Sequence, residues 1–366
     1  MKKNLLSIFI IIFVLGFSIF FIFNPKQKFS ENENRFLQEF PKFSFESLLS
    51  GEYINNLENY LTDHFPLRDA FMGIKTKFQL LLNQKLINDV YIGKDEYLFQ
   101  KYNDPVNTDK LINKLNQFYQ NNNTVNMSFM LVPSSGVINK DKLPNNVSFD
   151  KQKDTINYIY ENIDFNYIDV TNSLIDGNKE YEMYYRLDHH WTTYGAYFAY
   201  LEFCKINNIE PLSINNFEIK TVTEEFNGTI YSKANIYSYK PDKIDVFLND
   251  EKVKVNYVVS NKVTNTLYEE KHLSTKDKYA YFLDANHPLI EITNETKKGE
   301  ILIIKDSYAN SFIPFLTNHY NKIHIIDLRF YNGSVTNYMK ENNIENVLFL
   351  YNVQGIDDDL GIYKIK

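Results

Sequence analysis

Along most of this chain, short apolar runs alternate with stretches whose apolar residues recur every three or four positions. Residues 127–133, 301–304, 322–327 and 347–351 are brief, nearly continuous apolar runs bounded by polar residues, the pattern of strands buried on both faces. Residues 165–170 give a further strand. Residues 108–121 and 155–163 read as helices. Residues 192–206 read as another, with Thr193 as its cap and Tyr194, Tyr197, Phe198 and Leu201 along one face. Strands that alternate with helices predict a parallel sheet flanked by helices, so the expected fold class is α/β.

Other regions carry different patterns. Residues 43–82 read as mostly helical, with Leu48, Leu49, Ile54, Leu57, Tyr60 and Leu61 on one face. Pro66 breaks that run, and Asp63 is placed to cap the helix that follows. Residues 90–93 and 96–99 read as two strands about a Gly-Lys-Asp turn. From about 211 to 298 the chain shifts to polar–apolar alternation, as in residues 252–259, which predicts antiparallel strands in an inserted β-rich segment.

The N-terminus bears on the compartment. Residues 5–23 carry no charge, and as a helix the run would reach about 28 Å, close to the ~30 Å hydrocarbon core of a bilayer. Lys2 and Lys3 precede it and favour a cytoplasmic N-terminus. It ends Phe20-Phe21-Ile22-Phe23-Asn24-Pro25, without the small residues of a cleavage site. Residues 1–24 are therefore expected to form an uncleaved, single-pass N-terminal transmembrane signal anchor in the cell membrane. Residues 25–42 then form a linker, and 43–366 an extracytoplasmic domain.

Composition narrows the function. With 366 residues, 44% hydrophobic and 16% aromatic, the chain has ample material for a core. Its 28 Tyr and 29 Phe suit packing, and Tyr also suits a carbohydrate-facing surface, where the ring stacks and the hydroxyl bonds. A net charge of −7 and a pI near 5.6 argue against a nucleic-acid partner. The single cysteine, Cys204, lies in an apolar run and reads as a core thiol, which excludes a disulfide framework and a cysteine-built zinc site. No cofactor is expected.

Asp188-His189-His190-Trp191 is the most informative motif. In extended backbone, residues two apart face the same side, so Asp188 can orient His190 while the other imidazole nitrogen accepts a proton; His189 then points away in a supporting role. Ser307 follows the 301–304 strand, where a hydroxyl lies at the rim of an open sheet beside a helix start. Asp188, His190 and Ser307 are the candidate orienter, base and nucleophile; taken singly, Ser307 also suits a helix cap, and the histidine pair suits loop packing. Asn352 ends the 347–351 strand and is a candidate oxyanion donor. Arg329 ends the 322–327 strand and is placed to hold substrate, and Asn286 and Asn310 flank the same region. A metal held by Asp188, His189 and His190 with Asp63 and His64 is the rival chemistry. It is disfavoured because adjacent histidines rarely ligate one ion and no further aspartate motifs accompany them.

These residues carry a resemblance. Glu33-Asn34-Arg35, Asp63-His64-Phe65-Pro66-Leu67-Arg68-Asp69, Val90-Tyr91-Ile92-Gly93-Lys94, and Arg186 through Ala196 resemble the bacterial DHHW proteins, relatives of the alginate O-acetylation proteins. Lys305-Asp306-Ser307-Tyr308-Ala309-Asn310-Ser311, Asp327 through Tyr331 and Val347 through Asn352 continue it, so it covers nearly everything after the apolar run. The resemblance implies a circularly permuted SGNH hydrolase-like fold. It also implies that an Asp-x-His-Trp motif supplies acid and base and a later serine the nucleophile, which carry over as Asp188, His190 and Ser307. The order Asp, His, Ser is the reverse of ordinary SGNH esterases. Lys305-Asp306 stand where the alginate proteins have small polar residues.

The function so implied is O-acetyl transfer to a cell-surface polysaccharide through an acetyl-enzyme, with a multi-pass membrane O-acyltransferase delivering acetyl groups. A polysaccharide acetylesterase and a non-catalytic assembly or binding protein of an envelope polysaccharide complex are the alternatives.

Overall fold

The computed structural model describes residues 2–30, 35–250 and 252–366, with side chains from Ser7 onward and without that of residue 358. Glu33 and Asn34, which open the first matching stretch above, lie outside the described residues. The chain divides into two compact units, Met1–Asn88 with Tyr231–Tyr239, and Asp89–Ile230 with Lys240–Lys366.

The first unit is helical: α1 (Lys2–Phe23), α2 (Phe45–Leu49), α3 (Glu52–Asp63) and α4 (Arg68–Leu81). Among the described residues, no helix is long and apolar enough to cross a membrane, so the expected N-terminal transmembrane anchor has no support there. Ser44 caps α2 by accepting from the Ser47 N–H, and the Ser47 hydroxyl reciprocates. Pro66 does separate α3 from α4, but Asp63 does not cap α4. Its carboxylate instead accepts from Arg35 at 2.5 Å and from the Gln38 N–H at 2.8 Å, and Leu67 enters α4 with a left-handed φ of 58°.

The second unit opens with the hairpin β1 (Val90–Ile92) and β2 (Leu98–Gln100), followed by α5 (Thr108–Asn121), β3 (Asn126–Val132), α6 (Asp150–Asn162), β4 (Asn166–Tyr167), α7 (Thr171–Gly177) and α8 (Thr193–Ile206). A hairpin of β5 (Glu218–Phe226) and β6 (Asp242–Leu248) comes next, then β7 (Lys254–Tyr257), β8 (Lys262–Thr264) and β9 (Leu289–Thr293). The chain closes with β10 (Glu300–Lys305), α9 (Ala309–Leu316), β11 (Lys322–Ile326), α10 (Val335–Glu341) and β12 (Asn346–Asn352).

Eight strands form one sheet in the order β8-β7-β9-β11-β10-β12-β3-β4. From β11 to β4 the pairings are parallel; β8, β7 and β9 add antiparallel. The sheet is therefore mixed, which corrects the expectation of a parallel one. The alternation within 211–298 does mark antiparallel strands, yet β7, β8 and β9 extend the main sheet, and only the β5–β6 hairpin stands outside it. A period-2 pattern specifies a half-buried strand without specifying its partner.

The alternation of side chains along each strand builds two cores. Ile301, Ile303, Leu348 and Leu350 pack with Tyr200, Phe203, Phe312 and Phe315 of α8 and α9 on one face. Leu302, Ile304, Val347 and Phe349 pack with Leu111, Leu115, Ile159 and Met339 of α5, α6 and α10 on the other. Tyr184, Tyr200, Tyr257, Tyr308 and Tyr351 are among the largest fully buried side chains, so much of the tyrosine serves packing. The parallel strands β3, β10, β11 and β12 end side by side, at Val132, Lys305, Ile326 and Asn352. In an open α/β sheet that edge is where ligand-binding residues collect.

Buried Tyr160 of α6 ties β3 to the β4 region. Its hydroxyl accepts from the Leu131 N–H at 2.9 Å and reaches the Ile168 carbonyl at 3.1 Å. Tyr160→Phe removes both bonds, leaves two buried backbone groups unmatched, and is expected to lower stability by about 2 kcal/mol, read from the urea unfolding midpoint.

Candidate active site

Ser307 sits in the turn between β10 and α9. Asp306 continues the ladder by donating its N–H to the Leu350 carbonyl, and its buried carboxylate accepts from the Tyr308 N–H (2.9 Å), the Asn352 N–H (2.7 Å) and the Asn352 side-chain amide (2.6 Å). Three donors from two elements fix the turn that presents the serine. Burial raises the Asp306 pKa against the pull of these bonds.

The Asp188–Trp191 loop is pinned to that turn. Trp191 is fully buried, and its indole N–H lies 2.9 Å from both the Tyr308 carbonyl and the Ser311 hydroxyl. The Tyr308 hydroxyl donates to the His189 carbonyl. Thr192, rather than Thr193, caps α8 by accepting from the Gly195 N–H; Thr193 donates to the Asp245 carbonyl.

This pinning brings Ser307, His190 and Asp188 into one hydrogen-bonded chain. His190 Nε2 lies 2.8 Å from Ser307 Oγ, and Nδ1 lies 2.6 Å from Asp188 Oδ1. The same carboxylate oxygen accepts the His190 backbone N–H at 3.0 Å, while Oδ2 accepts the Thr229 N–H at 2.7 Å and the Thr229 hydroxyl at 3.0 Å. Burial pushes the Asp188 carboxyl up, but the two flanking imidazoles and the bonds from His190 and Thr229 outweigh it and hold it well below the usual carboxylate range. The His190 ring is sandwiched: Tyr279 stacks on one side (3.7 Å, 12°) and His189 lies 3.8 Å away. With an ionised carboxylate on Nδ1, the proton resides there, and Nε2 is free to take one from the serine.

A cavity of about 200 Å³ opens at Ser307, lined in part by Gln100, His189, Arg329, Asn352 and Gln354. A larger cavity of about 700 Å³, lined by Tyr97, Lys142, Arg186 and Asp242, does not include the serine, so size alone does not locate the chemistry.

The remaining sequence candidates fall in different places. His189 does not point away: it lines the Ser307 cavity, bonds the Thr229 hydroxyl through Nδ1 at 2.7 Å, and is kept neutral by burial, which lowers its pKa to about 4. Asn352 lines the cavity too; one hydrogen of its amide donates to Asp306 and its oxygen accepts from the Gly355 N–H, so it also braces the turn. Arg329 lines the cavity while gripping Asp327 through Nε (2.8 Å) and Nη2 (2.6 Å). Asn286 and Asn310 are not among the cavity's lining; their side-chain oxygens receive buried Lys305 Nζ at 2.6 and 2.7 Å. Burial lowers the Lys305 pKa to about 8, partly countered by Asp327 at 3.7 Å. The Ser307 N–H has no backbone acceptor among the described residues.

Donor atoms of Asp188, His189 and His190 lie within 4.8 Å of one another, close enough for a metal. Each is already engaged with Ser307, Thr229 or its neighbour, so an ion would have to break those bonds. Asp63 and His64 belong to the helical unit, where Asp63 binds Arg35 and His64 Nε2 contacts the Gln38 carbonyl. The donor set fits an orienting chain better than a metal.

Sequence reasoning missed Gly228, Thr229, Tyr279, Gln100 and Gln354, most of which lie in segments read as insertion or as plain strand. Gly228 is required by contact: a Cβ there would lie 2.3 Å from Asp188 Cβ and 2.4 Å from its Oδ2. Gly228→Ala is expected to displace Asp188 and lower stability by about 2 kcal/mol, measured by denaturant unfolding. His189 gives a pH signature. Its folded pKa, about 4, lies below the ordinary histidine value of 6.5. The unfolded chain therefore binds the extra proton first, and stability falls as pH drops through that window. Unfolding free energies from denaturant titrations between pH 6.5 and 4 should fall more steeply in the wild type than in His189→Gln, by about 2–3 kcal/mol over the window.

Residues 85–326 match the DHHW protein family. Among solved structures, a DHHW family protein from Eubacterium siraeum is similar, with a TM-score of 0.66 and 22% identity over 74% of this chain and 92% of that one. Bacillus cereus PatB1, solved with a sulfonyl adduct, is similar with a TM-score of 0.63 and 20% identity over 76% of this chain and 98% of that one. No curated protein matches the sequence. The structural likenesses are of fold; the family match spans well over half the chain, and the chain belongs to the DHHW family.

Proposed function

We propose that this protein is an O-acetyltransferase of a cell-surface polysaccharide, working through an SGNH-type Ser307-His190-Asp188 triad. The observation that carries the reading is the unbroken chain from Ser307 Oγ through His190 to buried Asp188, at the carboxyl ends of the parallel strands. Resemblance of the motifs to the alginate O-acetylation proteins supports acetyl as the group moved and a polysaccharide hydroxyl as acceptor.

The steps balance as in other acyl transfers. Ser307 Oγ attacks the donor's acetyl carbonyl while His190 Nε2 takes the hydroxyl proton, and the Ser307 N–H faces the developing oxyanion. The tetrahedral adduct collapses, breaks the bond to the donor oxygen, and His190 returns the proton to that leaving group. A sugar hydroxyl then attacks acetyl-Ser307, losing its proton to His190; the adduct collapses, the Oγ–acyl bond breaks, and His190 returns the proton to Ser307 Oγ. Asp188 keeps its charge throughout and stabilises the imidazolium.

In the same reading the uncharged sequence run 5–23, which begins ahead of the first described side chain, anchors the chain in the cell membrane with its N-terminus cytoplasmic and the site outside. A multi-pass membrane O-acyltransferase supplies the acetyl group, because acetyl-CoA is confined to the cytoplasm.

Since PatB1 accepts a sulfonyl group, a sulfonyl fluoride is a fitting probe for this chain. It should modify Ser307 in the wild type and label neither Ser307→Ala nor His190→Ala. With an activated acetyl ester and an oligosaccharide acceptor, Ser307→Ala should lower transfer to background, and Asp188→Asn should lower kcat by about three orders of magnitude or more. Full transfer by Ser307→Ala would contradict the reading. Acetate release that oligosaccharide never suppresses would make the enzyme an esterase, and a serine that never labels would make it a binding or assembly protein.

A further inference from the structure

α4 presents an apolar stripe that is left largely exposed among the described residues. Leu67 at its entry and Phe71, Ile74, Phe78 and Leu81 along it follow each other at spacings of four and three, so they share one face, and each is between 46% and 83% exposed. The opposite face is the one the fold uses. A Cβ at Gly73 would lie 3.2 Å from the Tyr237 ring, and the Thr76 hydroxyl reaches the Ala234 carbonyl at 3.5 Å. Burial of one face by its own unit accounts for the helix, but not for the second stripe.

The contacts of α1 indicate what covers that stripe. Phe17 stacks on Phe65 at 5.7 Å and lies 6.4 Å from Phe71 of α4, and the Phe65 and Phe71 rings are 6.0 Å apart. Phe17 is well inside the uncharged run, about 9 Å along the helix from Phe23. With α1 read as the anchor, lipid around Phe17 would also reach the start of the α4 stripe. Side chains flanking the stripe suit a lipid surface: Arg68 and Lys75 lie on one side of it and Lys77 on the other. At about 21 Å, α4 is too short to cross a bilayer.

We propose that α4 is an interfacial helix, with the Leu67–Phe71–Ile74–Phe78–Leu81 stripe immersed at the acyl–headgroup boundary of the outer leaflet. Its basic flanks reach the phosphates, and α1 and α4 together hold the helical unit against the membrane. This rests on the reading of α1 as an anchor. The occupant is lipid, not a partner helix or a second copy, because the stripe continues the surface of α1.

Depth-dependent quenching tests it on the full-length chain in phosphatidylcholine–phosphatidylglycerol vesicles. Cys204, the sole cysteine, is buried, so single exposed cysteines introduced as Ile11→Cys, Ile74→Cys, Phe78→Cys and Lys298→Cys can carry an environment-sensitive fluorophore. Lipids with a spin label high on the acyl chain should quench the probes at 74 and 78 by about twofold or more, with blue-shifted emission, and leave the probe at 298 unaffected. Quenching at 11 without quenching at 74 and 78 would overturn the interfacial helix and leave the anchor standing. So would probes at 74 and 78 that are shielded only as protein concentration rises, which would mean a second copy. An unquenched probe at 11 would overturn the anchor and this inference with it.

Discussion

A buried carboxylate with four donors on it organises this molecule's chemistry. Asp188 accepts the ring N–H and backbone N–H of His190 and both the backbone N–H and hydroxyl of Thr229. An ionised group at 1% exposure persists only when such bonds offset its desolvation. Meeting that demand fixes the imidazole's tautomer, brings in Thr229, and forces a glycine at 228 because no Cβ fits beside the carboxylate. The imidazole, with Tyr279 stacked on it and the His189 ring tilted beside it, directs Nε2 to Ser307.

The serine is held by a second buried carboxylate. The Asp306 carboxylate binds the end of the neighbouring strand at Asn352 and the Tyr308 N–H of the following turn, so this departure from the alginate pattern shapes the site. Lys305, the other departure from the alginate pattern, points into the protein, where Asn286, Asn310 and Asp327 receive it. Polar residues conspicuous in the sequence thus divide into those that line the cavity and those that satisfy buried charge. Arg329 does both, lining the cavity while it neutralises Asp327.

How far the sequence reaches depends on the range of the interaction. Residues 301–304 are apolar on both faces and announce a central strand, and the helix at 108–121 is legible from its periodicity, because burial of a whole face leaves a periodic trace. The Asp188–His190 pair is legible because it is local. What joins it to Ser307 is not local: the Trp191 indole on the Tyr308 carbonyl and the Tyr308 hydroxyl on the His189 carbonyl leave no pattern along the chain. Thr229 and Tyr279 were hidden for the same reason, within a stretch whose alternation indicates strands but not their neighbours. Asn352 lies at the edge its strand's end predicts, while the bonds that tie its side chain to Asp306 and Gly355 leave no trace along the chain.

The central claim is that Ser307 carries the acyl group, and trapping that group tests it most directly. The protein would be mixed with an activated acetyl ester, quenched in acid within the first turnover, and digested for peptide mass spectrometry. The account predicts one acetyl group on the Ser307 side chain, disappearing when a polysaccharide acceptor is added before the quench. An acetyl group found on another residue, or an enzyme that turns over the ester while Ser307 stays unmodified at every time, would contradict it.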